Sequence, residues 1–233
     1  MMPGNGRYYS FGVGMVHFVA VSTDESIDAT STQGVWLERK LEYLNKNRDM
    51  WPWVVVFQHR PIYSSNKNHG NWSGASNYSF PGYEDPVYQG WPHHYESLIL
   101  KHGVDFVLNG HVHHYERTWP VRNRDQVTQS YENVTSPIHI TCGNAGKSLY
   151  KRQWYYPDLD TYDEVRPEFS ASRSNEVWGH CELEFLSPTT AKHSMYEMGS
   201  ERPRDEIIVT KAGDLSTTLD FVLVAFTFIS QLF

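Results

Sequence analysis

A chain of 233 residues with 39% hydrophobic and 20% charged residues is long enough for one full core, and its composition excludes the disordered and fibrous classes. A formal net charge of −7 without any Lys/Arg run leaves no electrostatic footprint for nucleic acid, so no nucleic-acid partner is expected. The 12 histidines direct attention instead to transition metals and to proton transfer near neutral pH.

In chain order, Met15 to Ser22 (MVHFVAVS) reads as a strand. Thr32 to Asn47 carries Trp36, Leu37, Leu41 and Leu44 at helical spacing behind Ser/Thr residues suited to capping. Val54-Val55-Val56-Phe57 is a continuous apolar run, the sign of a strand buried on both faces. From Pro61 to Gly90 the sequence is rich in Gly, Asn, Tyr and Pro without periodicity, and loops of that length are usually functional or disordered. Pro92 then opens a short helix with Tyr95, Leu98 and Ile99 on one face, closed by Lys101, His102 and Gly103. Val104 to Leu108 is a second buried-type strand. Strand, helix and strand in this order predict an α/β layered core with parallel strands. Ile138 to Cys142, Cys181 to Phe185 and Thr190 to Tyr196 are further strand candidates and read as antiparallel sheet. Between them, Gly143-Asn144-Ala145-Gly146-Lys147-Ser148 has its glycines too close together for a phosphate loop and reads as a plain turn.

The ends and the cysteines leave alternatives. No basic segment followed by an apolar one stands at Met1-Met2-Pro3-Gly4, so this sequence shows no signal peptide. Residues 221–233 (FVLVAFTFISQLF) are uncharged but shorter than the roughly 18 residues a spanning helix needs. They fit a truncated anchor, a GPI-type tail or a last helix packed on the body, and membrane contact is expected only through them. Cys142 and Cys181 could form one bridge or stay as buried thiols, with thiols favoured. Asn71, Asn77 and Asn133 each open an Asn-X-Ser/Thr triplet in a loop-like stretch, as glycan attachment requires.

Both buried strands deliver histidine at their C-terminal ends, His59 after Val56-Phe57-Gln58 and His111 to His114 after Asn109-Gly110. In open α/β sheets that edge is where ligands bind. If the chain stays extended through Gly110 to His113, His111 and His113 point the same way while Val112 and His114 face elsewhere. Two neighbouring imidazoles with a third from the adjacent strand make a metal site plausible. His180, before Cys181, reads as a core polar residue.

The linked motifs VFQHRPIY (Val56 to Tyr63) and NGHVHHYERTWPV (Asn109 to Val121) resemble the last two signature blocks of the purple acid phosphatases, within the calcineurin-like metallophosphoesterases. YYSFGVGMVHFVAVSTDE, WPWVVVFQHRP, GVDFVLNGHVHHYER and SNEVWGHCELEF extend the likeness over about Tyr8 to Lys211, the C-terminal part of such a catalytic domain, with 212–233 outside it. The resemblance implies a partial α/β fold of the four-layer α/β/β/α sandwich type. It also implies a dinuclear centre, Fe(III) with a divalent Zn, Fe or Mn ion, that hydrolyses small phosphate monoesters in a secreted or lysosomal setting. His59 and His111 would bind the divalent ion and His113 the ferric one, with His114 outside the ligand set. His69 is the nearest match to the family's substrate-contacting loop histidine. Glu116 and Arg117 would orient the ligand loop.

The blocks written GDxG, GDxxY and GNHE or GNHD are not on this sequence, so the dinuclear centre is incomplete in it and the 233-residue chain by itself is expected to show little or no phosphatase activity. The alternative function is a catalytically inactive, secreted or tethered glycoprotein that binds a metal ion or a partner.

Overall fold

The computed structural model describes residues 6–66, 91–122, 125–126, 128–151, 167–213 and 224–228. The strands are β1 (Tyr9–Val13), β2 (Val16–Val21), β3 (Trp53–Gln58), β4 (Phe106–Asn109), β5 (Tyr115–Thr118), β6 (Val121–Arg122), β7 (Asp125–Gln126), β8 (Ile138–Cys142), β9 (Ser170–Ser174), β10 (Gly179–Ser187), β11 (Thr190–Glu197), β12 (Pro203–Thr210) and β13 (Val224–Phe228). The helices are α1 (Thr32–Asn45), between β2 and β3, and α2 (Trp91–Lys101), between β3 and β4.

A seven-stranded sheet in the order β1-β2-β3-β4-β8-β5-β9 forms the centre. Its middle strands β2, β3, β4 and β8 run parallel: α1 and α2 return the chain to the starting edge before β3 and β4, and β8 comes in beside β4 after β5, β6 and β7. The apolar runs lack alternation because both faces are covered. On one face Phe18, Val55, Phe106 and Ile138 form a cross-strand row packed toward Leu183, Phe185 and Met195 of a second sheet. On the other, Val19, Val56 and Val107 meet Trp36, Leu37, Leu41 and Leu44 of α1 and Tyr95, Leu98 and Ile99 of α2. Helix α1 starts where the Ser31 hydroxyl accepts the Gly34 N–H at 3.0 Å, satisfying one of the open donors of its first turn.

The second sheet, β12-β11-β10-β13, is antiparallel as expected for Cys181 to Phe185 and Thr190 to Tyr196. The described residues thus fill a helix layer and two sheet layers, the α/β class the sequence pointed to.

Three expectations need correction. Ile138–Cys142 belongs to the parallel core, paired parallel with β4 and antiparallel with β5, because IHITC is buried along its whole length and sits centrally. Residues 224–228 of the apolar tail are a strand rather than a helix, pairing with β10 from Cys181↔Phe228 to Phe185↔Val224. Among the described residues no helix is long and apolar enough to cross a membrane. Cys142 and Cys181 are joined in a disulfide rather than held as thiols. β8 ends in one sheet where β10 begins in the other, with Cα atoms 6.3 Å apart, inside bridging reach. Closing a loop across that separation of 39 residues restricts the unfolded chain by about 4 kcal/mol on the chain-entropy scale.

Candidate functional site

Parallel β3 and β4 end on the same rim, and their ladder continues one step past the sheet, where the Gly110 N–H donates to the His59 carbonyl at 3.0 Å. This step brings His59 Nε2 to 3.0 Å from His111 Nδ1, with the ring centroids 4.9 Å apart. The chain is not extended here, contrary to the sequence reading. His111 has φ +60°, and 111–114 is a bend in which the Val112 and His114 N–H groups fold back on the Gly110 and Val112 carbonyls. A left-handed backbone at a histidine is sparsely populated, and such strain concentrates at functional positions.

His113 has contacts of its own. Its Nδ1 is 2.9 Å from the Ser148 carbonyl oxygen, and its ring stacks on Tyr150 at 4.2 Å and 27°. Among the described residues no group of three or more His, Cys, Asp or Glu side chains is gathered around one cation-sized point. His59 and His111 are in direct ring contact, and His113 is held through Ser148 and Tyr150. The pair suits shared coordination: two nitrogens each about 2.0–2.1 Å from one ion, at tetrahedral or octahedral angles, lie about 2.9–3.4 Å apart. Burial, reinforced by the Arg60 charge, lowers the His59 pKa, and burial likewise lowers that of His113 against the opposing pull of the Ser148 carbonyl. Both effects favour the neutral imidazole that a metal requires.

Around the rings stands a scaffold that the sequence pattern did not reveal. Gly143 packs so tightly under the 111–114 bend that a Cβ there would lie 1.8 Å from the Val112 carbonyl oxygen, and its N–H donates to the His114 carbonyl at 2.9 Å. The Tyr150 N–H donates to the His113 carbonyl at 3.1 Å, Asn175 Nδ2 to the Tyr150 carbonyl at 3.0 Å, and Trp178 Nε1 to the Lys147 carbonyl at 2.9 Å. Gly143 and Asn144 were the visible signal, in the stretch read as a plain turn.

Glu116 and Arg117 point to opposite faces of β5, as neighbours on a strand must. Glu116 is 1% exposed and accepts the Ser65 N–H at 2.9 Å and the Ser170 hydroxyl at 2.7 Å, with His114 Nε2 at 3.4 Å. It ties the segment after His59 to the fully buried His114 of the 111–114 bend. Arg117 instead reaches the second sheet, where it makes a two-pronged pair with Asp205 at 2.7 and 2.9 Å and donates to the Tyr131 hydroxyl. His180 is half-buried, stacked on Tyr196 and 3.4 Å from Glu182, rather than in the core. Asp105 accepts the Val54 N–H and pairs with Arg48 and Lys211. Beside His59 opens a cleft of about 470 Å³ lined in part by Tyr9, Ser22, Asp24 and Phe57. His69, Asn71 and Asn77 lie outside the described residues; Asn133 is exposed, with φ +53°.

Comparison with known proteins follows the same outline. Residues 136–206 match the family model of iron/zinc purple acid phosphatase-like protein C. Human acid phosphatase type 7 is 34% identical over 157 residues, 62% of this chain and 35% of that protein. Acid phosphatase type 7 of Danio rerio is 31% identical over 206 residues, 81% of this chain and 43% of that protein. The chain is similar to the purple acid phosphatases, over the C-terminal part of their length. The fold of the purple acid phosphatase PPD1 from yellow lupin covers 91% of this chain and 34% of the lupin chain, with a TM-score of 0.71 and 22% identity. The chain thus spans well under half the length of these purple acid phosphatase relatives.

Proposed function

We propose that this chain provides one side of a dinuclear metal centre in an acid phosphatase acting on phosphate monoesters, with His59 and His111 holding a divalent ion (Zn, Fe or Mn) and His113 holding Fe(III). The observation that carries this reading is the 3.0 Å approach of His59 Nε2 and His111 Nδ1 at the strand rim, with His113 separately fixed. Two bound cations would supply charge neutralisation for the phosphate and an ionised water for in-line attack. The chain's own residues do the positioning. His59 and His111 offer neutral ring nitrogens, Glu116 anchors the loop through His114, and His69 is assigned to protonating the leaving oxygen. Arg117 supports the same strand from the opposite face.

Three neutral imidazoles carry no charge to offset two cations about 3.5–4 Å apart, so the bridging carboxylate must come from elsewhere than this histidine set. Little turnover is therefore expected from the 233-residue chain alone. A disulfide and an exposed acceptor at Asn133 support a secreted or lysosomal setting and a glycan at that residue. The absence of a three-ligand group among the described residues favours a second reading, an inactive glycoprotein that binds one ion or a partner.

Zinc binding to the purified chain tests the pair. Zinc is expected to raise the melting temperature at neutral pH, with the effect removed in His59→Ala and in His111→Ala. No zinc-dependent shift in the unsubstituted chain, or an undiminished one in both variants, refutes the pairing. Release of p-nitrophenol from p-nitrophenyl phosphate by the same chain with iron and zinc, at acidic pH, separates the two functional readings.

A further inference from the structure

The bend at 111–114 is gripped by a segment outside the two linked motifs VFQHRPIY and NGHVHHYERTWPV. Residues 143–150 leave β8, pass under the bend at 111–114 and return along His113. A carbonyl oxygen can only accept a hydrogen bond, so the 2.9 Å contact with Ser148 puts the proton of a neutral His113 on Nδ1. That leaves the lone pair on Nε2, the less usual arrangement for a free imidazole. The ring plane is fixed independently by the Tyr150 stack, and Tyr150 is fixed by two backbone bonds, its N–H to His113 and its carbonyl to Asn175. Trp178 pins the intervening Lys147 carbonyl.

We propose that the Lys147 to Tyr150 segment is the positioning element for His113, with the Ser148 carbonyl selecting the Nδ1–H tautomer and the Tyr150 ring holding the imidazole plane, so that Nε2 is the atom offered to a cation. Tyr150 and Trp178 are positioning residues: neither is required to touch substrate, and each acts through His113. The use of Nε2 rests on the reading of His113 as a ligand; the tautomer and its control do not. Partners that fix a ligand's tautomer and orientation are commonly worth 10–100-fold in metal affinity.

The experiment uses the 233-residue chain with ¹⁵N-labelled histidine. Long-range proton–nitrogen spectra at mildly alkaline pH report which ring nitrogen bears the proton, and His113→Gln assigns the signal. The unsubstituted chain is expected to show His113 almost wholly as the Nδ1–H form. Tyr150→Phe keeps the stack and is expected to preserve that spectrum, whereas Tyr150→Ala and Trp178→Phe shift it toward a mixture while the far-ultraviolet circular dichroism stays that of the folded chain. A proton found on Nε2 in the unsubstituted chain, or a Tyr150→Ala spectrum identical to it, overturns the proposal. Should Tyr150→Ala fail to fold, Trp178→Phe decides by the same criterion. A chain that binds no zinc yet shows the tautomer shift upholds the positioning element and ends the metal reading.

Discussion

Glu116 offers the sharpest test of how the histidine bend at 111–114 is held. Its carboxylate is buried against the Ser65 N–H, the Ser170 hydroxyl and His114, and each of these partners is itself fully or nearly fully buried. Glu116→Ala strands these donors without water. At about 1–3 kcal/mol for each buried group left unpaired, partly relieved by relaxation, the loss is about 3–5 kcal/mol. Glu116→Gln should cost far less, about 1–2 kcal/mol. Its carbonyl still accepts from Ser65 and its amide can donate to the Ser170 oxygen, because a hydroxyl accepts as readily as it donates. Urea unfolding followed by tryptophan fluorescence at neutral pH measures both. In heat, the alanine variant should melt about 10 °C lower at about 2–4 °C per kcal/mol for a chain of this size. Burial alone would raise the Glu116 pKa, but the hydrogen bond and charge of His114 and the Ser65 bonds outweigh it and hold the carboxyl below its ordinary value. A depressed acid stabilises above its unfolded pKa of about 4.3, and that stabilisation is lost as pH falls through the lower folded value. Glu116→Gln should lack this acid-side decline. Equal losses for Ala and Gln, or an Ala loss under 1 kcal/mol, would show that Glu116 does not anchor the loop.

Asp205→Ala, which leaves the Arg117 guanidinium buried without its two-pronged partner, should cost about 3–5 kcal/mol in the same urea assay. The double variant Arg117→Met with Asp205→Leu should recover most of that, and failure to recover would place the cost in packing rather than in charge. Buried and neutral, His139 and His193 have pKa values lowered to about 3 and about 4, chiefly by burial. Between the unfolded value of about 6.5 and these folded values the unfolded chain takes up protons that the folded one refuses. Stability should therefore fall with pH, by about 2 kcal/mol per histidine from pH 7.5 to pH 5. His139→Leu should remove its share of the slope, and an unchanged slope would refute the assignment.

The central strands and helix α1 were legible in the sequence because burial on two faces leaves an unbroken apolar run and burial on one helix face leaves a 3.6-residue rhythm. Chain direction at Ile138–Cys142 was not, since a fully buried strand reads the same beside parallel and antiparallel neighbours. At the site, motif spacing singled out His59, His111 and His113, but the extended-chain argument for His111 and His113 fails at a single left-handed residue. The partners of Arg117 and His113 were hidden for another reason. Asp205 lies 88 residues from Arg117 and Ser148 lies 35 from His113, and no local pattern encodes contacts made across a fold.

The Cys142–Cys181 bond closes a covalent ring, and its membership is telling. Asn144, Lys147, Ser148, Tyr150, Asn175 and Trp178, the groups that grip the histidine bend from outside, all fall within it. The bend itself does not. A protease that severs the backbone once anywhere inside this ring leaves the two new ends on one molecule, tethered at the point where the two sheets meet. The grip on His113 thus has a route to outlasting a break in the chain that makes it.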